Sequence, residues 1–309
     1  RGRFIAGEEG RLTWIQLAIG LVLLLGGGEA LVRGSVAAAM RLGLSPLVIG
    51  LTLVGFGTSA PELVASVQAA LAGAPGIAIG NIVGSNIANI LLILGISAVI
   101  APVVITRRAF QRDGTVLIGA SLVLLAVILG GTVGRWTGLV FLLLLVGYLG
   151  YTYVSERRAP DAAAEIYAAE ATEVALPGAS LVLALVLAVA GIASVVYGAD
   201  LLVGAAIVMA RDFGLSEAVI GLTLVAVGTS LPEFATSIIA ALRRHGDVAF
   251  GNIVGSNIFN ALGITGATAL VTPIAVPGEI IRLDVWVMLA TAALLVVFAV
   301  TGWRVSRRE

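Results

Sequence analysis

Glu62 and Glu233 raise the first chemical question. Each closes a short motif, GTSAPE at 57–62 and GTSLPE at 228–233, inside an apolar stretch with no other charge. A carboxylate held at bilayer depth costs about 3 kcal/mol or more unless it is paired or hydrated, which makes it a functional candidate. No arginine stands near either glutamate in sequence, so a bound cation is the natural countercharge. The surrounding donors are all oxygens. Thr58, Glu62 and Ser66 lie four apart, as do Thr229, Glu233 and Ser237. Asn81, Ser85 and Asn89 follow one helix face at i, i+4 and i+8, mirrored by Asn252, Ser256 and Asn260. Such a set suits a hard cation. Calcium takes roughly six to eight oxygens in flexible geometry, whereas softer metals prefer nitrogen and sulfur. The chain has no cysteine, and its single histidine, His245, sits in a charged turn. Two carboxylates balance one divalent ion, and several monovalent ions competing for the same oxygens would couple two gradients, as an antiporter does.

Pro61 and Pro232 suggest how backbone could join that set. Proline within a helix lacks an N–H and pushes against the carbonyl four residues back, which predicts freed oxygens at Gly57 and Gly228. Gly55, Gly57 and Gly228 make unwinding easier. Irregular backbone at membrane depth persists only where protein or a wet cavity satisfies it.

The elements that must hold these residues follow from the composition. The chain has 309 residues, 59% apolar and 12% charged, with zero net charge and a mean hydropathy of +1.09. Soluble domains are about a quarter charged, so this is an all-α integral membrane protein, and nothing in its charge suggests nucleic acid. Spans are predicted at 12–40, 46–71, 77–100, 114–131 and 136–154, then at 178–210, 217–242, 248–271 and 283–303. An offset of 171 residues relates the halves: LVIGLTLVGFGTSAPE (47–62) and AVIGLTLVAVGTSLPE (218–233) share 12 of 16 positions, and GNIVGSNIAN and GNIVGSNIFN share 9 of 10. A five-crossing repeat places its copy in the opposite orientation, which predicts two inverted repeats, the architecture of many transporters. The expected division is a first repeat over 1–154, a cytoplasmic linker over 155–177 and a second repeat over 178–309, the last with four helices and its tenth span missing. The amino end reads as trimmed, with no cleavable signal peptide.

Arginine supplies all the basic residues. Six arginines fall in loops on the amino-terminal side and eleven on the other, which predicts a multi-pass plasma-membrane protein with its amino terminus outside. The five acids of the 155–177 linker lack the spacing of a calcium-binding loop and are read as solvated.

Plainer structural roles fit the other polar residues. Gly80 and Gly84, with Gly251 and Gly255, form small-xxx-small pairs for close helix packing. Asn86 and Asn257 lie off the Ser85 and Ser256 face and are expected to make packing hydrogen bonds. Ser66 and Ser237 are expected to bond back to their own helices. Glu29 and Arg33 form an i, i+4 ion pair, and Asp200, the repeat-mate of Glu29, is expected to hydrogen-bond between helices.

At the paired motifs the chain resembles the sodium/calcium exchangers, of prokaryotic type, in the calcium/cation antiporter superfamily. GTSAPE with GNIVGSNIAN, repeated as GTSLPE with GNIVGSNIFN, is similar to that family's two alpha repeats, and the matching span pattern covers almost the whole chain. The resemblance implies a ten-helix antiporter with four cation sites between the second, third, seventh and eighth helices. It exchanges about three sodium ions for one calcium, electrogenically, while the first and sixth helices slide across the core. It implies a ligand set of Thr58, Ser59, Glu62, Ser85 and Asn89, with Thr229, Ser230, Glu233, Ser256 and Asn260, and with Gly55 and Ala226 acting through backbone oxygen. Asn260 stands where potassium-dependent relatives carry aspartate, which disfavours potassium co-transport. The expected partners are Ca2+, Na+ and the lipid bilayer, with H+ as a competitor, no cofactor and no obligate protein partner. Proton/calcium antiport on the same two glutamates is the alternative, although the asparagine-alanine-glutamate motif of that branch is absent. Enzymatic activity is not expected, because an intramembrane protease needs a Ser/His dyad or paired aspartates. A calcium channel fits the inverted duplication poorly.

Overall fold

Long apolar runs without proline become long helices. The computed structural model describes residues 8–43, 57–105, 107, 110–158, 176, 178–242 and 246–308. The first repeat contains α1 (Glu8–Arg41), α2 (Ala60–Leu71), α3 (Pro75–Ile100), α4 (Phe110–Leu129) and α5 (Arg135–Arg158). The second contains α6 (Leu181–Phe213), the pair α7 (Glu217–Thr229) and α8 (Leu231–Leu242), α9 (Gly246–Ile258 continuing through 271) and α10 (Ile280–Gly302). Among the described residues seven helices are long and apolar enough to cross a membrane, and the bent pair α7–α8 makes an eighth. The predicted span over 46–71 is described from residue 57 onward, and most of the predicted linker lies outside the described residues.

The inverted duplication appears in the packing of α1 against α6. A Cβ added to Gly20 would lie 2.8 Å from the carbonyl oxygen of Gly198, one at Gly27 would lie 2.8 Å from the amide of Val195, and one at Gly34 would lie 2.4 Å from the amide of Ala188. Contacts descend along α6 as they ascend α1, so the two helices are antiparallel and touch backbone to backbone. Close approach through small residues is how helices gain dispersion contact where lipid offers no hydrophobic drive. Ser194 Oγ donates to the Leu23 carbonyl at 2.9 Å. Because Ser194 is also the repeat-mate of Leu23, the pseudo-twofold axis passes between them.

Two short antiparallel ribbons knit the repeats together: Val103–Val104 pairs with Arg304–Val305, and Thr132–Val133 pairs with Ile274–Ala275. Under the 171-residue offset Val103 maps onto Ile274, so each ribbon joins the end of a third helix to the end of the other repeat's fourth. One apolar cluster runs through α3, α4, α5, α9 and α10 by way of Ile82, Ile93, Phe141, Phe250 and Leu295. A second joins α1, α2, α3, α6 and α7 through Leu24, Ala65, Ile77, Val195 and Leu202.

π-helical turns, which the apolar periodicity did not predict, recur in repeat-related pairs: Asn89–Leu94 with Phe259–Ile264, and Phe110–Gly114 with Ile280–Asp284. A further one, Gly221–Val225, lies in α7. Such turns are common at functional sites, and the first pair carries Asn89 and Asn260. On the outer side of α3 a groove of about 360 Å³ is lined by Ile90, Leu94, Gly95, Ala98, Leu295 and Phe298. Its repeat-equivalent on α9 is filled by α5, whose Gly138 packs against Gly266 and Ala269. The groove is thus where repeat symmetry places a fifth helix beside the second repeat's four.

Candidate cation site

Helices α2 and α8 both begin at the motif. Ser59 and Ser230 adopt nearly the same backbone conformation, φ −87°, ψ 10° and φ −80°, ψ 9°, and α7 and α8 meet at a bend of 49°. Pro61 and Pro232 fall in the first turn of α2 and α8, where a missing N–H removes no helical bond. The expected freed carbonyl at Gly57 is instead occupied, accepting the Ala60 N–H at 3.2 Å in a tight turn. Pro61 therefore starts a helix rather than kinking one.

Serine is a favoured N-cap, yet the Ser59 side chain does not cap α2. It donates across the repeat boundary to Glu233 Oε1 at 2.7 Å, and Ser230 donates to Glu62 Oε1 at 2.9 Å. Each carboxyl is thus held by the serine three residues ahead of the other, which brings both acids to the pseudo-axis. Both glutamates are 1% exposed. Among the described residues neither has a cationic partner, and Oε2 of each has no hydrogen-bond donor.

The helices after the hairpins hold this geometry. Asn81 Nδ2 donates to the Glu62 carbonyl at 3.1 Å and to Ser66 Oγ at 2.9 Å, and Asn252 Nδ2 donates to the Glu233 carbonyl at 3.3 Å and to Ser237 Oγ at 3.0 Å. Ser66 and Ser237, expected to bond back to their own helices, accept across the hairpin. Asn81 and Asn252, which the helix-face spacing groups with the oxygen donors and the family resemblance leaves out, act here as positioning residues. Their sequence signals are that shared helix face and a spacing of 19 from the glutamate in both repeats. Replacing Asn81 with alanine is expected to lower stability by about 1–3 kcal/mol, by stranding buried polar partners. Asn86→Ala, which removes an amide bonded to its own helix at Ile82, is expected to cost less. Unfolding midpoints of the purified protein compare the two.

The remaining expected ligands surround the carboxyls unevenly. Ser256 Oγ reaches Glu233 Oε1 at 3.5 Å, and Ser85 Oγ reaches the Ala226 carbonyl at 3.5 Å. That carbonyl also accepts the Ser230 N–H at 3.1 Å. Thr229 donates toward Asn81 Oδ1 at 3.1 Å, while Thr58 Oγ1, its mate, has no partner. Asn89 Nδ2 donates to Asn257 Oδ1 at 2.9 Å, and Asn257 Nδ2 donates to the Asn86 carbonyl at 3.2 Å. Asn257 thereby bonds α9 to α3, as expected of a packing residue. Neither Asn260 side-chain atom has a partner, nor has Asn89 Oδ1. Gly55 lies outside the described residues.

Stranded buried polar atoms cost about 1–3 kcal/mol each, yet here they gather at both carboxyls, at Thr58 and at the two π-turn asparagines. Among the described residues no three of His, Cys, Asp or Glu gather. A cation here would therefore meet two carboxylates and otherwise neutral oxygens, a donor set suited to calcium or sodium. Gly80 and Gly84 fulfil their packing role: Cβ atoms there would lie 2.7 Å from the Ala218 oxygen and 2.5 Å from the Leu222 oxygen. Glu29 pairs with Arg33 as expected. Asp200 does not make the expected interhelical bond; it is exposed and has no partner among the described residues.

Comparison with known proteins agrees with this architecture. The profile of the sodium/calcium exchanger protein family matches residues 12–154 and 183–309. The sodium/calcium exchanger MaX1 of Methanosarcina acetivorans is 33% identical, over 96% of this chain and 94% of that protein. The inner membrane protein YrbG of Escherichia coli is 35% identical, over 96% and 90%. Among solved structures, the sodium-calcium exchanger NCX_Mj superimposes with a TM-score of 0.62 at 32% identity, covering 96% of this chain and 92% of that one.

Proposed function

Since the chain belongs to the sodium/calcium exchanger protein family, we propose that it is a secondary antiporter exchanging Ca2+ for Na+ by alternating access. In this reading Glu62 and Glu233 share one calcium ion on the pseudo-axis, and sodium ions compete for the same oxygens. About three sodium ions replace one calcium, so each cycle moves net charge. The observation that carries the proposal is the pair of buried carboxyls, each bonded to the other repeat's serine and each with one oxygen free.

The proposed ligands around them are Thr58, Ser59, Ser85 and Asn89, with Thr229, Ser230, Ser256 and Asn260, together with backbone oxygens at Gly55 and Ala226. A cation at Ala226 would replace the long contact from Ser85. Sodium and calcium differ in charge and not in their preference for oxygen, so carboxylates suit the divalent ion while hydroxyl, amide and carbonyl oxygens suit the monovalent ones. The chain resides in the plasma membrane with its amino terminus outside and the linker in the cytoplasm, following the arginine distribution. Proteoliposomes loaded with sodium and diluted into sodium-free buffer should accumulate ⁴⁵Ca2+, faster when the inside-negative charge build-up is relieved by an ionophore. Equal uptake driven by a pH gradient without sodium would replace this reading with proton/calcium exchange.

A further inference from the structure

An asparagine amide can turn either its oxygen or its NH2 group toward a cation, and the two ends are nearly the same shape. The partner of one end decides which end is left free. Of the two π-turn asparagines, Asn89 has such a partner and Asn260 does not.

A relay anchored on backbone sets the orientation of Asn89. A carbonyl oxygen accepts and never donates, so the Asn86 carbonyl fixes the amide of Asn257, whose Nδ2 donates to it at 3.2 Å. Asn257 Oδ1 then faces Asn89 and accepts from its Nδ2 at 2.9 Å. The end of Asn89 that remains is its oxygen, which is buried and has no partner among the described residues. Asn89 follows Asn81 and Ser85 on the face of α3 that meets both motifs, since Asn81 bonds the Glu62 carbonyl and Ser85 reaches the Ala226 carbonyl. The repeat-mates behave differently. Asn86, the counterpart of Asn257, donates to the Ile82 carbonyl of its own helix at 2.8 Å. Asn260, the counterpart of Asn89, is buried with neither side-chain atom partnered among the described residues.

We propose that Asn257 is a positioning residue that presents the Asn89 oxygen to sodium and thereby sets how well sodium competes with calcium. This rests on the antiport reading above. Glu62 and Glu233 carry the charge that a divalent ion needs, whereas a monovalent ion depends more on neutral oxygens already turned toward it. An oxygen held in place spares the cost of ordering it when the ion binds. An amide free to turn also points its NH2 group at the ion, which repels it. The plan is that of the two glutamates, where the group that meets the ion comes from one repeat and the group that aims it comes from the other.

The test is Asn257→Leu, which keeps a similar size and has no polar atom. Equilibrium binding of ⁴⁵Ca2+ to the purified protein is measured without sodium and then with increasing NaCl, total salt being held constant with choline chloride. The sodium concentration that displaces half the calcium should rise about tenfold, within the usual range for coupled neighbours, while the calcium Kd without sodium changes less than about threefold. Asn89→Leu should give the same split, and the double variant should exceed either single one by less than about twofold, because Asn257 acts through Asn89. Asn257→Ser, whose hydroxyl is one atom too short to reach Asn89, carries the same expectation and serves if leucine prevents folding. Unchanged sodium competition, calcium and sodium binding weakened in equal proportion, or additive effects of the Asn257 and Asn89 variants would overturn the proposal. Wild-type protein that binds no calcium would overturn the antiport reading and this inference with it, whereas wild-type binding combined with any of those three results overturns the inference alone.

Discussion

Glu62→Gln is expected to abolish sodium-driven calcium uptake while leaving the protein folded. Removing one unit charge about 4 Å from another costs about 4 kcal/mol at an effective dielectric constant of 20, or about a thousandfold in affinity, and a divalent ion feels it more strongly. Glutamine keeps an oxygen to accept from Ser230, so the cross-repeat bond at 2.9 Å has a replacement. Without calcium, the unfolding temperature should stay level or rise, because an unpaired buried charge is removed. With calcium, the rise in unfolding temperature that ligand binding gives the wild type should disappear. Glu233→Gln should behave alike, since Ser59 serves it in the same way. Wild-type uptake by a well-folded Glu62→Gln, Glu233→Gln double variant would remove these residues from the mechanism.

The second large effect concerns α1 and α6. A Cβ at Gly191 would lie 2.4 Å from the Leu31 amide nitrogen and 2.7 Å from the Gly27 carbonyl oxygen. Both are backbone atoms, so no rotamer change relieves the clash and the helices must separate. Gly191→Val is therefore expected to cost at least about 1–3 kcal/mol, the usual range for overpacking, and to reduce exchange at least tenfold in whatever protein folds. Gly26→Ala is the control: a Cβ there meets nothing within 4 Å, and alanine improves helix propensity by up to about 1 kcal/mol. Thermal unfolding in detergent, followed by transport assays on the folded fraction, separates the two. A Gly191→Val protein as stable and active as Gly26→Ala would mean that the close crossing of α1 and α6 matters little.

Much of the architecture was legible because a membrane simplifies the reading. Apolar runs gave most helices to within a few residues, and the 171-residue offset gave their inversion. The two glutamates stood out because charge is costly where nothing else is charged. What could not be read were the links between distant segments. The bond from Ser59 to Glu233 spans 174 positions, and periodicity describes only one segment at a time. A proline reads in sequence as a kink inside a helix, whereas Pro61 stands in the first turn of one, so the Gly57 carbonyl accepts the Ala60 N–H. The π-turns add one residue per turn without altering composition, so periodicity does not reveal that Asn89 and Asn260 stand at a local distortion. Asp200, expected to hydrogen-bond between helices, is exposed instead, and exposure is a property of packing that one segment's sequence does not carry.

The most direct test of the central claim is the location of a bound ion. Crystals soaked in Ca2+, or in Sr2+ as a stronger anomalous scatterer, should show a principal anomalous peak on the pseudo-axis. It should lie within about 2.3–2.6 Å of a carboxylate oxygen from each of Glu62 and Glu233, the usual calcium–oxygen distance. A principal peak bonded to only one of the two glutamates, or to neither, would contradict the account.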